Sequence, residues 1–332
     1  MAENSASQNL RLRIRRNASG IVSEFRDSWR EKPWFRKACY ALGGLLILLL
    51  LLWILVLRNL PSAEKLLTYQ PPLPSMVRGI DGEIVYSYAR ERRVQLRFVD
   101  FPKPMVNAFL AAEDKTFWTH GGVDYTGLAG AVLDFVTKIG SDERAKGGST
   151  ITQQVAKNIL LTNEYSIIRK FKEMVLAGRI EGVLSKQQIL ELYLNEIPLG
   201  RQSFGVQAAA RAYFGKDVGE LQLHESAFLA ILPKAPETYG RAKNAALALE
   251  RRNWVLDQMV KNDLATEAEA ATAKAQPLGI IAYRVETFDP SVGYFVEEVR
   301  RRLIEKYGES AEDGPNSVYS GGLWVRTSLD QQ

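Results

Sequence analysis

Between Ala38 and Leu57 the chain reads ACYALGGLLILLLLLWILVL, twenty residues without a charge. A helix rises about 1.5 Å per residue, so such a run reaches across a hydrocarbon core roughly 30 Å thick. It is too long for the apolar part of a typical cleaved signal peptide. No small-x-small cleavage site follows it; Arg58-Asn59-Leu60-Pro61 does. We read 38–57 as a transmembrane helix. Arg26, Arg30, Lys32, Arg36 and Lys37 precede it, and only Arg58 and Lys65 follow closely. Basic residues gather on the cytoplasmic side, so Met1 to Lys37 is expected inside and everything after Arg58 outside.

Composition sets limits around this anchor. With 46% hydrophobic and 24% charged residues, the 332-residue chain has the balance of a folded protein of one large domain or two ordinary ones. A net charge of +5 suits nucleic acid, an anionic membrane surface or a phosphorylated substrate, without separating them. Cys39 is the single cysteine, which excludes an intramolecular disulfide and a four-cysteine zinc site. His120 and His224 stand far apart in sequence, so no histidine-built metal centre is expected.

The chain divides by composition. Residues 1–37 are a polar, basic tail, 38–57 the span, and 58–75 a stiff juxtamembrane linker carrying Pro61 and Gln70-Pro71-Pro72-Leu73-Pro74. Residues 76–99 predict a small β element. Asp81-Gly82 is a turn signal there, near short runs such as Glu83-Ile84-Val85-Tyr86 and Val94-Gln95-Leu96. From Pro104 to Leu264 apolar residues recur at three and four, which predicts helices. After Pro277 a weak strand signal returns, and Val292 to Tyr307 predicts one more helix. Ser320 to Leu329 reads as a turn entering a strand without a partner.

Three segments carry side chains suited to chemistry. In Ala108-Phe109-Leu110-Ala111-Ala112-Glu113-Asp114, a helix would put Phe109 and Leu110 one turn beneath Glu113. A carboxylate ending so apolar a helix is partly desolvated, which raises its pKa and suits it to general-base work. His120, farther on, reads as structural. In Gly147 to Asn158, a glycine-rich loop opens a helix with Thr150 and Gln153 at capping-box spacing. Thr150, Gln153, Gln154 and Lys157 share an arc of roughly 100° on that helix. Free N–H groups at its start, with Lys157 further on, make a candidate phosphate site. In Arg169-Lys170-Phe171-Lys172-Glu173, Arg169, Lys170 and Glu173 project to one side, opposite an apolar face of Ile167, Phe171, Met174 and Val175. Two neighbouring cations would keep Glu173 ionised, so Glu113 and Glu173 would be pushed apart in pKa, as two carboxylates with different roles require. Taken singly, each segment reads more simply as a helix end, a capped helix or a salt-bridged face.

Together they resemble one family. Glu113 to Gly122 is similar to the first motif of the peptidoglycan glycosyltransferases, glycosyltransferase family 51. GGSTITQQVAKN, Gly147 to Asn158, is similar to the second, Arg169 to Glu173 to the third, Lys186 to Asn195 to the fourth, and Arg251 with Val255-Leu256 to the fifth. Their order matches, and the resemblance covers roughly residues 75–260. Leu199 to Lys216 and Leu232-Pro233-Lys234-Ala235-Pro236 are also similar to class A penicillin-binding proteins. Gly321 to Asp330 resembles the strand that enters their C-terminal transpeptidase domain, so 76–265 is expected to be the glycosyltransferase domain and 266–332 a linker and the start of a truncated transpeptidase region. Tyr165 departs from the pattern, where many members carry a basic residue. Tyr125 and Gly130 stand where proline and arginine are common.

The resemblance implies a mainly α, lysozyme-like fold with a membrane-embedded small lobe, at the outer face of the bacterial cytoplasmic membrane. It implies lipid II and a lipid-linked glycan chain as substrates. Glu113 would deprotonate the acceptor's 4-hydroxyl. Lys157, Arg169, Lys170 and Lys172 would offset charge on the leaving diphosphate. Glu173 would orient those cations or hold a divalent ion. Ser149, Thr150, Gln153, Gln154 and Asn158 would lie near the donor's sugar and phosphates. No cofactor is obligatory, a divalent cation is left room, other cell-wall synthesis proteins are candidate partners, and nucleic acid is not expected. Two carboxylates on such a fold also suit glycan cleavage, and a non-catalytic membrane scaffold is a third reading. The cations favour transfer, since hydrolysis of neutral sugar links has no need of them. Transpeptidase activity is not expected: the one S-x-x-K run is Ser62-Ala63-Glu64-Lys65, beside the span, and S-D-N and K-T-G are absent.

Overall fold

A computed structural model of the chain describes residues 29–58, 60–88, 93–138, 147–161, 167–283, 292–310 and 313–330. It separates into two units, Met1–Leu60 and Pro61–Gln332. The first contains helix α1 (Pro33–Arg58), whose large apolar side chains from Leu45 to Leu51 are exposed. Its stretch Pro33–Leu51, of mean hydropathy 1.6, is long and apolar enough to cross a membrane. The predicted 38–57 lies inside this helix. The helix begins earlier because a proline at the first helical position has no N–H to waste.

The second unit is mainly helical, as 104–264 predicts. Helix α2 (Lys103–Glu113) ends on Glu113 and buries Met105, Phe109 and Leu110. Helix α3 is Tyr125–Thr137. The short α4 (Ile151–Val155) runs into a π-helical turn, Ala156–Leu160. Helices α5 (Ile167–Val183) and α6 (Lys186–Glu196) pack against α4. Then come α7 (Val206–Phe214), α8 (Leu223–Leu229), α9 (Pro236–Tyr239), α10 (Ala245–Lys261) and α11 (Glu267–Ala275). Helices α2, α8 and α10 pack on one another around Phe109, Phe228, Leu256 and Met259, all fully buried. This core fixes the end of α2 and therefore Glu113.

Helix α5 corrects one expectation. Phe171, placed on the apolar face opposite the charged one, is 56% exposed, and Ile168 is 53% exposed. The buried side is Glu173, Leu176, Ala177 and Ile180. Apolar spacing alone could not tell a face turned to the protein from one turned outward. Trp118 and, on α3, Tyr125, Leu133 and Val136 are likewise exposed. Tyr165 lies outside the described residues.

The sheet brings two further corrections. Strands β1 (Ser75–Arg78) and β2 (Ile84–Tyr88) form the hairpin around Asp81-Gly82, whereas Val94 to Leu96 is no strand. The strand at the chain's end, β3 (Trp324–Arg326), has a partner after all: it pairs parallel with β1, in the order β2-β1-β3. Helix α12 (Gly293–Tyr307) covers the sheet, with Val77, Tyr88 and Val318 packed under Val299, Leu303 and Ile304. The β element assigned to 76–265 therefore shares a core with residues 292–330.

The fourth motif ties these parts together. Asn195 pairs with the backbone of Leu96 like a strand neighbour, at 2.8 and 3.0 Å. Buried Glu196 accepts from Tyr69 at 2.9 Å and Gln95 at 3.1 Å and pairs with Arg93. Glu191 accepts the N–H of Phe98 at 2.6 Å. Gly205, at φ +81°, is needed beside this turn, because a Cβ there would meet the Asn195 carbonyl at 2.4 Å.

Candidate active site

The site is assembled around the start of α4. Thr150 Oγ1 accepts the Gln153 N–H at 3.2 Å while Gln153 Oε1 accepts the Thr150 N–H at 2.9 Å, the reciprocal cap its spacing predicts. Thr150 also donates to the Gly122 carbonyl at 2.6 Å, which fastens the loop after the first motif. Gly122 sits at φ +97° against α5, where a Cβ would strike the Ala177 carbonyl at 2.6 Å.

The next group in is Asp114, buried and immediately after Glu113. Its Oδ2 accepts the Ile151 N–H at 2.9 Å and the Nε2–H of His120 at 2.9 Å. The same imidazole accepts the Gly122 N–H through Nδ1 at 3.1 Å, so the tautomer is set from both sides. His120 is structural, as expected. Lys186 donates to the His120 carbonyl at 2.6 Å and to Glu181 at 2.7 Å, and Thr152 donates to Glu181 at 2.8 Å. Motifs one, two and four are thus one hydrogen-bonded frame.

Two of the N–H groups expected to be free at the α4 N-terminus are occupied in this frame. The Ile151 N–H is taken by a carboxylate and the Gln153 N–H by the cap. Thr150 and Gln153 are each 2% exposed, so they hold the helix start rather than present themselves to a substrate. Asp114 was the missing piece, and its only signal was its place beside Glu113.

Glu113 gains a partner from the same helix: Gln154 Nε2 donates to its Oε2 at 2.7 Å. Burial raises the Glu113 pKa above 4.5, and the charge of Asp114 adds to the rise. The Gln154 bond and the cations Arg251 and Lys234 oppose it. Arg251 lies on the Trp254 ring, its guanidinium 3.7 Å from the centroid. Neither Arg251 nor Lys234 was assigned a site role from sequence. The fifth-motif resemblance at Arg251 was the signal that could have found it.

The second carboxylate lives differently. Glu173, 4% exposed, pairs with Arg169 at 3.2 Å and with Lys170 at 2.8 Å. Lys170 also donates to Ser149 Oγ at 2.5 Å, which links the third motif to the second. Ser149 and Gln154 are partly exposed, as are Lys157 on the π-helical turn and Lys172 on α5, while Asn158 is exposed. The π-helical turn widens the spacing, so the simple helical arc does not extend to Lys157. A divalent cation does not fit at Glu173, because both its oxygens face cations. Among the described residues no group of three or more His, Cys, Asp and Glu side chains gathers around one point.

A cavity of about 790 Å³ lies elsewhere. It lies beside Lys103 and Asn107 at the start of α2, with His224, Asp263 and Glu269. Ten residues of helix separate Lys103 from Glu113, roughly 15 Å. Ser62, of the chance S-x-x-K match, caps a short 3-10 turn.

A family model described as transglycosylase matches residues 81–260, more than half of the chain. Penicillin-binding protein 1A of Rickettsia prowazekii is 39% identical over 82% of the chain and 34% of its own length. That of Neisseria lactamica is 43% identical over 82% of the chain and 33% of its own. A crystal structure of penicillin-binding protein 1A from Haemophilus influenzae aligns with 79% of the chain and 28% of its own, at 26% identity and a TM-score of 0.46. The chain spans about a third of the length of the curated relatives it matches. By its family match and these relatives, the chain belongs to the transglycosylase family, with residues 81–260 as its transglycosylase domain.

Proposed function

We propose that the chain is a membrane-anchored peptidoglycan glycosyltransferase that extends a lipid-linked glycan chain with lipid II. α1 is the anchor, with Met1 to Lys37 in the cytoplasm and the second unit outside. The exposed side chains Trp118, Leu133, Val136, Ile168 and Phe171 suit contact with lipid.

Glu113 accepts the proton of the acceptor's 4-hydroxyl. The freed oxygen attacks the donor's anomeric carbon with inversion, and the bond to the lipid diphosphate breaks, its electron pair leaving with the diphosphate. Arg169, Lys170, Lys157 and Lys172 offset the charge that develops there. Glu173 holds Arg169 and Lys170 in place, and Lys170 in turn holds Ser149. Arg251 and Lys234 limit the rise in the proton affinity of Glu113 and give the acceptor side its own positive charge.

The single observation that carries this reading is the contrast, in one hydrogen-bonded frame, of a carboxyl at the end of a buried apolar helix that meets one neutral amide with a carboxyl clamped by two cations. Incubation with labelled lipid II tests it. Glycan polymer with released lipid diphosphate is expected. Cleavage of finished glycan would favour a lysozyme-like hydrolase, and no product would favour a scaffold.

A further inference from the structure

Tyr193 sits in the last turn of α6, inside the fourth motif, and is 1% exposed. Among the described residues its hydroxyl is buried without a hydrogen-bond partner. Buried tyrosine hydroxyls usually find one, because leaving the group dry and unpaired is costly. Its ring is held edge-on by Phe109, with centroids 6.1 Å apart, and Phe109 lies one helical turn before Glu113. The charged groups acting on the hydroxyl are Glu113 and Asp114. Asp114 is already engaged by Ile151 and His120. Among the described residues, Gln154 donates to Oε2 of Glu113.

We propose that the Tyr193 hydroxyl serves Glu113 in both protonation states through one ordered water between them, and is so a positioning residue for the proton transfer. The inference rests on the reading of Glu113 as general base. The Gln154 amide nitrogen can only donate, so it serves the carboxylate and cannot receive the acid's O–H. A water held by a tyrosine hydroxyl does both: it donates to the carboxylate and accepts from the acid. Burial pushes the Tyr193 hydroxyl well above its ordinary range, so it keeps its own proton throughout. Donation to a charged carboxylate is the stronger of the two bonds, so the hydroxyl favours the ionised base. The groups facing Glu113 are then Gln154 from α4, Arg251 from α10, Lys234 from the turn before α9, Asp114 beside it and Tyr193 from α6.

The experiment is the pH dependence of lipid II polymerisation by the full chain. In Tyr193→Phe the acid limb of kcat/KM should move up by about half to one pH unit, as loss of one charge-assisted hydrogen bond implies. kcat should fall about three- to tenfold with KM unchanged. In the Glu113→Gln background the same change should cost nothing further. Replacing Tyr193 by 3,5-difluorotyrosine keeps the hydroxyl and strengthens it as a donor, so the limb should move down. That variant decides the matter if the phenylalanine variant does not fold. A merely idle hydroxyl would give Tyr193→Phe a higher melting temperature and an unmoved limb. Unmoved limbs in an active enzyme overturn this inference alone, while an inactive wild type overturns the functional reading and this with it.

Discussion

Glu113 and Glu173 are the same residue in one frame, and their surroundings make them chemically different. Glu113 ends a buried apolar helix, receives one neutral amide, and has its proton affinity raised chiefly by burial. Glu173 lies within a helix with Arg169 and Lys170 one turn before it, and both its oxygens face those cations. The first can exchange a proton with a substrate. The second is committed to holding positive charge in position. The difference comes from placement: a desolvated helix end in one case, and i−3 and i−4 partners in the other.

The largest expected effect lies at Glu113. Glu113→Gln keeps the shape and the Gln154 contact but cannot take up the acceptor's proton. Polymerisation should fall at least about a hundredfold, with lipid II affinity preserved. Stability should move the other way. A carboxyl whose folded pKa lies above its unfolded value costs stability once pH exceeds the unfolded value, and the cost grows as pH rises through the folded one. Burial raises Glu113, so the glutamine variant should melt higher than wild type at neutral pH and alike below about pH 4, where both carry a neutral side chain. Equal turnover in the two proteins would remove Glu113 from the mechanism.

A smaller and different loss is expected at Glu173. Glu173→Gln leaves Arg169 and Lys170 without their anchoring charge, so binding and turnover should weaken together. Loss of charge-assisted hydrogen bonds predicts about a tenfold weaker lipid II affinity. A variant with normal affinity and a rate loss as deep as that of Glu113→Gln would erase the contrast between the two carboxylates.

The smallest effect belongs to the frame itself. Thr150→Ala removes the cap and the bond to the Gly122 carbonyl. It should cost about 1–2 kcal/mol and lower the melting temperature by a few degrees, with turnover changed much less than at either glutamate. A large loss of lipid II affinity without loss of stability would return Thr150 to the substrate.

The sequence made the local chemistry legible and left the long-range contacts hidden. The Thr150–Gln153 cap, the desolvated end of α2 and the Arg169–Glu173 pairing follow from residues three and four apart. The seat of Asp114 on the Ile151 N–H does not, because it joins residues far apart in the chain. The same holds for β3 on β1, where Trp324 pairs with Met76. The π-helical turn at Lys157 was invisible, since a helical wheel assumes constant spacing. The outward turn of Phe171 was hidden too, because periodicity marks an apolar face without saying what it meets.

The most direct measurement is the ionisation of Glu113 itself, followed by carboxyl ¹³C resonance in glutamate-labelled protein and assigned by its loss in Glu113→Gln. The account predicts a midpoint above the ordinary 4.5 of a glutamate, in the free enzyme, at the carboxyl that also governs the acid limb of polymerisation. A midpoint at or below 4.5, or an acid limb that does not follow it, would contradict the assignment of Glu113 as the tuned base.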